Sequence, residues 1–164
     1  MNIKSHLRKK IIDLGFYSKP SFMIVGAQKA GTTAIFNILN SHPEVQGVFP
    51  KEIHYFDNDN WYNKFDHTDY NCIFPLKKFR RNKIYFEATP TYLFHKSVAK
   101  RLHDYNEKLK IIICLREPVG RAISAWSMYH NYFDKEHYPE LHDNRQFHQA
   151  VKDELINLKT DNIN

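Results

Sequence analysis

The sequence predicts a three-layer α/β domain with a short, mainly parallel sheet flanked by helices. Short apolar runs at 22–26, 45–48, 83–87 and 110–115 have the length and composition of buried strands. Helical spacings fall between and after them: Ala34, Ile35, Ile38 and Leu39; then Val98, Leu102 and Tyr105; then a run opened by Pro118 through Ile123 and Trp126 toward Tyr129. Alternation of strand and helix demands crossover connections, and crossovers make strands parallel.

The chain is organised around Ser21 to Asn40, SFMIVGAQKAGTTAIFNILN. A strand at Phe22–Val25 leads into a glycine-bounded loop, and a helix begins near Thr32 with its unpaired N–H groups facing the loop. Gly26 and Gly31 are expected to let the loop backbone approach a ligand. The spacing is P-loop-like, matching Gly-x-x-x-x-Gly-Lys-Ser/Thr in its glycines. Thr32 stands where that motif has Lys, Thr33 takes the Ser/Thr place, and the lysine sits inside the loop as Lys29. Such a loop suits a phosphate- or sulfate-type oxyanion with one ammonium approaching from another side. Gly-rich turns also join strands to helices without any ligand, and glycine spacing alone does not separate the two cases.

A chain of 164 residues is enough for one domain and one core. Its 42% hydrophobic and 26% charged residues are ordinary for a globular protein. No apolar run reaches membrane-spanning length, and the basic start MNIKSHLRKKIIDLGF lacks the apolar core of a signal peptide, so a soluble, cytoplasmic protein is expected. The charge of +6 favours phosphorylated or polyanionic partners without choosing among them, and no nucleic acid is assigned as partner. The basic clusters at 8–10 and 77–81 read as solvated surface. Cys72 and Cys114 show no pair motif and are expected to be reduced thiols. Residues 1–20 form a basic lead-in, 21–130 carry the motifs, and 131–164 form a polar tail with a helical pattern through Phe147, Ala150, Val151, Leu155 and Leu158. His137, His142 and His148 are spaced too irregularly for a metal motif, and no metal site is assigned.

Two further segments carry chemistry. If Lys51–Asp57 is extended, Glu52 and His54 share one face and a carboxylate and an imidazole converge; a surface loop in which Glu52 pairs with Lys51 is the other reading. Arg116 ends the last strand beside a helix start, and Arg121 and Ser124 lie three apart on that helix, so Arg116, Ser124 and Arg121 can form a second anion site. Pairing of both arginines with Glu117 or nearby carboxylates is the alternative. Trp61, Tyr62, Phe65 and Tyr70, in a polar excursion at 57–82, either pack on the domain or line an acceptor cleft. Glu87, at the end of the third strand, is a competing carboxylate.

Taken together and in order, PSFMIVGAQKAGTT, KEIHYFD, YFEATPTY and LREPVGRAISAWSMY resemble the sulfotransferases that use 3′-phosphoadenosine 5′-phosphosulfate (PAPS), above all the heparan-sulfate N- and O-sulfotransferases. The resemblance implies transfer of a sulfuryl group from PAPS to a hydroxyl or amine of a carbohydrate or small-molecule acceptor, without a metal. It implies that Lys29 contacts the phosphosulfate, that Gly31, Thr32 and Thr33, flanked by Gln28 and Ala30, hold the 5′-phosphate, and that Arg116 and Ser124 hold the 3′-phosphate. Glu52 would be the general base, with His54 and Asp57 supporting it. The heparan-sulfate enzymes commonly place Lys after the glutamate of the third strand; Ala88 stands here, so one cationic contact is missing. The family domain extends further, so this chain is expected to be an amino-terminal portion. A P-loop nucleotide kinase and a non-catalytic nucleotide-binding fragment are the competing functions; the kinase needs a Lys after the second glycine, where Thr32 stands.

Overall fold

The structure, a computed structural model, describes residues 17–77, 82–132 and 139–161. The lead-in before Tyr17, the basic cluster past Lys77 and His137 lie outside the described residues. The chain divides into two compact units, Met1–Leu115 and Arg116–Asn164.

The first unit is a four-stranded parallel sheet in the order β2-β3-β1-β4, with β1 Phe22–Gly26, β2 Val45–Gly47, β3 Ile84–Ala88 and β4 Lys110–Ile113. Helix α1 (Thr32–Asn40) joins β1 to β2. Two short helices, α2 (Asp59–Lys64) and α3 (His67–Asn71), fill the polar excursion; α4 (Val98–Tyr105) leads into β4. The first and last strands are neighbours and parallel, so both end at the same carboxyl edge of the sheet, where α/β folds gather ligands. Strand β4 closes at Ile113, earlier than the apolar run suggests. Cys114 turns its hydrogen bonds to the loop, donating to the Gly26 carbonyl at 2.7 Å and accepting from the Ala27 N–H at 2.8 Å.

Alternation along the strands sorts the core into two faces. Met23, Val25 and Tyr85 join Tyr55, Phe56, Tyr70, Tyr92, Leu102 and Tyr105 in an aromatic cluster on one face. Ile24, Phe86 and Ala88 pack with Phe36 of α1 on the other. Phe36 lies 5.1 Å from Phe86, and a Cβ on Gly47 would meet the Phe36 ring at 2.5 Å. The absence of a side chain at Gly47 therefore lets α1 settle onto β2.

The excursion aromatics divide by burial. Tyr70 is buried in the core and Tyr62 packs against it, whereas Trp61 and Phe65 are exposed.

In the second unit, helix α5 (Pro118–His130) is capped by Glu117, whose carboxylate accepts from the N–H groups of Val119 at 2.8 Å and Gly120 at 2.6 Å. These bonds hold its pKa below the usual glutamate range. Helix α6 (Phe147–Asp161) packs on α5 through an edge-on contact between Phe147 and Trp126 at 5.8 Å. The Trp126 indole N–H donates to the Arg145 carbonyl at 2.8 Å, and the Arg145 guanidinium holds Asp143 and Asp153. A cavity of about 800 Å³ opens between these helices, lined in part by Arg121, Trp126, Tyr129 and His142.

Candidate active site

The loop from Gly26 to Thr33 leaves the carboxyl end of β1 and enters α1 at Gly31, which has φ 86°. No side chain caps this helix start and no acidic residue occupies its first turn, so its leading N–H groups and partial positive charge suit an anion. A Cβ on Gly31 would stand in open space with nothing within 4 Å. Lys29 adopts φ 64°, a left-handed turn within the loop, and the Ala30 N–H closes that turn on the Ala27 carbonyl at 3.1 Å.

Gly26 has a different job from the expected one. A Cβ there would lie 2.7 Å from both Leu93 Cβ and the Pro90 carbonyl oxygen. Its missing side chain makes room for the 3₁₀ turn Pro90–Leu93. Gly31 has open space on its Cβ side.

The segment 51–57 is not extended. Glu52 and His54 have φ 67° and 56°, a conformation that costs non-glycine residues energy. The two side chains still converge: His54 Nε2 stands 4.0 Å from Glu52 Oε2. Alternating left-handed residues thus achieve what a shared strand face was expected to do. The other Glu52 oxygen pairs with Lys51 Nζ, so the pairing and the convergence coexist on one carboxylate. On the far side of the imidazole, His54 Nδ1 lies 3.0 Å from Asp57 Oδ2.

Three residues that sequence reasoning did not single out hold this segment. The Thr91 hydroxyl donates to Asp57 Oδ2. The Tyr92 hydroxyl accepts from the N–H groups of Tyr55 at 3.2 Å and Phe56 at 3.4 Å. Arg101 donates to the Phe56 carbonyl at 2.7 Å, stacks its guanidinium 4.4 Å from the Tyr62 ring centre and pairs with Asp59. The signal for Thr91 and Tyr92 was their place just past a strand's carboxyl end, the sheet edge at which α/β folds gather ligands.

Glu87 is 1% exposed and faces the aromatic cluster. Its carboxylate accepts from the hydroxyls of Tyr70 at 2.6 Å, Thr89 and Tyr92. Burial pushes its pKa up while those hydroxyls oppose the shift. A carboxylate enclosed by three hydroxyls organises the core and is not open to an acceptor. Ala88 is likewise buried, beside Ile24 and Phe86.

Arg116 and Ser124 lie in the second unit. The Arg116 side chain runs past Gly120, its Nε 3.5 Å from a Cβ built there, and Ser124 is half-buried on α5.

Residues 19–159 match the family model described as Sulfotransferase domain, and the chain belongs to that family. It is 36% identical over 108 residues to human heparan sulfate glucosamine 3-O-sulfotransferase 5, covering 66% of this chain and 30% of the relative. Over 110 residues it is 36% identical to human bifunctional heparan sulfate N-deacetylase/N-sulfotransferase 2, covering 64% of this chain and 12% of the relative. The crystal structure of a sulfotransferase from Alicyclobacillus acidocaldarius superposes with a TM-score of 0.64 at 28% identity, over 87% of this chain and 60% of that one. The chain thus spans less than a third of the length of the two human relatives.

Proposed function

We propose that the chain carries the donor loop and proton-accepting cluster of an enzyme that transfers a sulfuryl group from PAPS to a hydroxyl or amine of a glycan. The observation that carries this reading is the Lys29 loop ending in an uncapped helix start, in a chain that belongs to the sulfotransferase-domain family. The glycan is proposed because both human relatives are named for heparan sulfate.

PAPS supplies an activated sulfuryl group on a phosphate leaving group. Gly31, Thr32 and Thr33, with Gln28 and Ala30 beside them, hold its 5′-phosphate through backbone N–H groups and hydroxyls. Lys29 offsets the charge that grows on the bridging oxygen as the sulfur–oxygen bond lengthens. Arg116 and Ser124 hold the 3′-phosphate, which does not react. Glu52 accepts the proton of the attacking hydroxyl or amine, and Lys51 and His54 fix the direction of its two oxygens.

The comparisons lend the kinase reading no support, and Thr32 denies it the lysine it requires. A cytoplasmic location belongs to the same proposal; Cys72 and Cys114 show no pair motif in the sequence, which suits a reducing compartment.

The test is transfer of label from [³⁵S]PAPS to heparan-type glycans and small amines and alcohols. Labelled product that disappears in Glu52→Gln supports the reading. A chain that binds 3′-phosphoadenosine 5′-phosphate yet labels no acceptor is a nucleotide-binding module instead.

A further inference from the structure

His67 opens α3 as a plug in an aromatic cage. Its half-buried ring lies 5.2 Å from the Tyr105 ring, 5.8 Å from Tyr62, 6.3 Å from Tyr55 and 6.4 Å from Phe56. The cage joins three parts of the first unit: Tyr62 stands on α2, Tyr105 ends α4, and Tyr55 and Phe56 belong to the segment that carries Glu52. The backbone of those last two residues hangs on the Tyr92 hydroxyl and on Arg101. The Tyr55 hydroxyl donates to the Phe65 carbonyl at 2.9 Å, just ahead of His67 in the chain. The far end of α3 is fastened separately, by buried Tyr70 and by the Tyr105 hydroxyl, which donates to Asn71 Oδ1 at 2.6 Å.

The cage suits a neutral imidazole. Three of its rings already give a face to another group: Tyr62 to the Arg101 guanidinium at 4.4 Å, Tyr105 to Lys19 Nζ at 5.7 Å, and Tyr55 to the Tyr70 ring at 4.7 Å. An imidazolium would be a third cation in this space, giving up water for rings whose attraction is partly taken. Burial pushes the His67 pKa below the ordinary histidine value; Asp66 and Asp104 oppose that shift without reversing it, and Lys19 adds to it. These groups and Arg101 are the charges that bear on the ring. The Tyr55 and Tyr105 hydroxyls, both pushed up by burial, stay protonated where histidine titrates.

We propose that His67 is a pH-sensitive pin: neutral, it holds the turn between α2 and α3 onto Tyr55 and Phe56; protonated, it leaves the cage and slackens residues 55–66. The device goes beyond the sulfuryl-transfer reading and does not rest on it. A histidine whose folded pKa is lowered contributes stability that is present in full above the unfolded value of 6.5 and lost as pH falls from there through the folded one. Tyr70 and Asn71 keep α3 attached, so the opening is local. Glu52 stands on the same segment, and its turn loosens with it.

Hydrogen exchange reads the pin in the chain itself, without donor or acceptor. It is followed between about pH 7.5 and about pH 5, the range in which histidine titrates, and corrected for the intrinsic pH dependence of amide exchange. Protection of residues 55–66 should fall by about fivefold or more across this range while β1 and β4 remain the better protected. His67→Gln and His67→Phe cannot take up a proton, and each should flatten the dependence whatever its level at neutral pH. His67→Lys should show the acid level of protection in 55–66 already at the upper end of the range. His54→Gln should leave the dependence in place, which separates His67 from the other histidine of the segment. Protection of 55–66 indifferent to pH overturns the proposal, as does a dependence that survives both His67→Gln and His67→Phe. Equal protection of 55–66 and the strands at every pH would mean opening of the whole unit and would overturn the local pin.

Discussion

The Tyr55 N–H donates to the Tyr92 hydroxyl at 3.2 Å, tying the segment that carries Glu52 and His54 to the 3₁₀ turn that follows β3. The same hydroxyl takes the Phe56 N–H at 3.4 Å and reaches Glu87 at 3.5 Å. Tyr92→Phe keeps the ring in the aromatic cluster but leaves two backbone donors without this acceptor. It should cost about 1–3 kcal/mol, read as a lower urea midpoint at unchanged slope. In an active enzyme it should also lower turnover more than nucleotide affinity, because the left-handed turns at 52 and 54 lose their brace.

The two loop glycines should respond to the same substitution in opposite ways. Gly26→Ala drives a Cβ into Leu93 and the Pro90 carbonyl, and should destabilise the chain by about 3 kcal/mol or more, beyond the usual overpacking range because backbone is involved. Gly31→Ala meets only open space; its cost is that of φ 86° for a residue with a Cβ, about 1–2 kcal/mol. Its larger effect should be on nucleotide binding. Thermal melts and a nucleotide titration on both variants separate these outcomes.

The strands were legible because β1 and β4 are short apolar runs ended by Gly26 and Arg116–Glu117–Pro118. Helix α1 was legible to its ends because Gly31 and the turn at Ser41–His42–Pro43 punctuate it. The geometry of 51–57 was not, since positive φ at Glu52 and His54 follows from long-range bonds to Ala88, Thr91 and Tyr92 and not from local propensity. Nor could spacing reveal that Gly26 serves a packing contact with residues 64 and 67 positions away. Glu87 read as a strand-end carboxylate because its three hydroxyl partners come from separate points in the sequence.

In the second unit, hydrogen bonds from Arg145 hold the Asp143 pKa down at about 2, against 3.8 for an unperturbed group. A depressed carboxylate contributes stability that is present above the unfolded value and lost as pH falls through the folded one. Melts followed by Trp126, whose indole bonds to the Arg145 carbonyl, should therefore weaken between about pH 4 and pH 2. Because the pair is partly exposed, the change should be a few degrees at most. Arg145→Ala should flatten this limb; an unchanged limb would place the acid sensitivity elsewhere.

The proposed function gives Lys29 and Arg116 different parts in one reaction, and the two parts can be told apart. Lys29→Ala should remove most sulfuryl transfer with modest loss of nucleotide affinity, since its contact strengthens as charge develops. Arg116→Ala should mainly weaken binding of 3′-phosphoadenosine 5′-phosphate. Equal losses of affinity in both variants would contradict this division of roles.

The central claim, a donor site made for a 3′-phosphorylated adenine nucleotide, is tested most directly by calorimetric titration of the chain with 3′-phosphoadenosine 5′-phosphate and with ATP, each with and without magnesium. The account predicts that the 3′-phosphorylated nucleotide binds more tightly by about tenfold or more, the value of one charge-assisted phosphate contact, and that magnesium leaves its affinity unchanged. Magnesium-dependent ATP binding tighter than that of 3′-phosphoadenosine 5′-phosphate would contradict it.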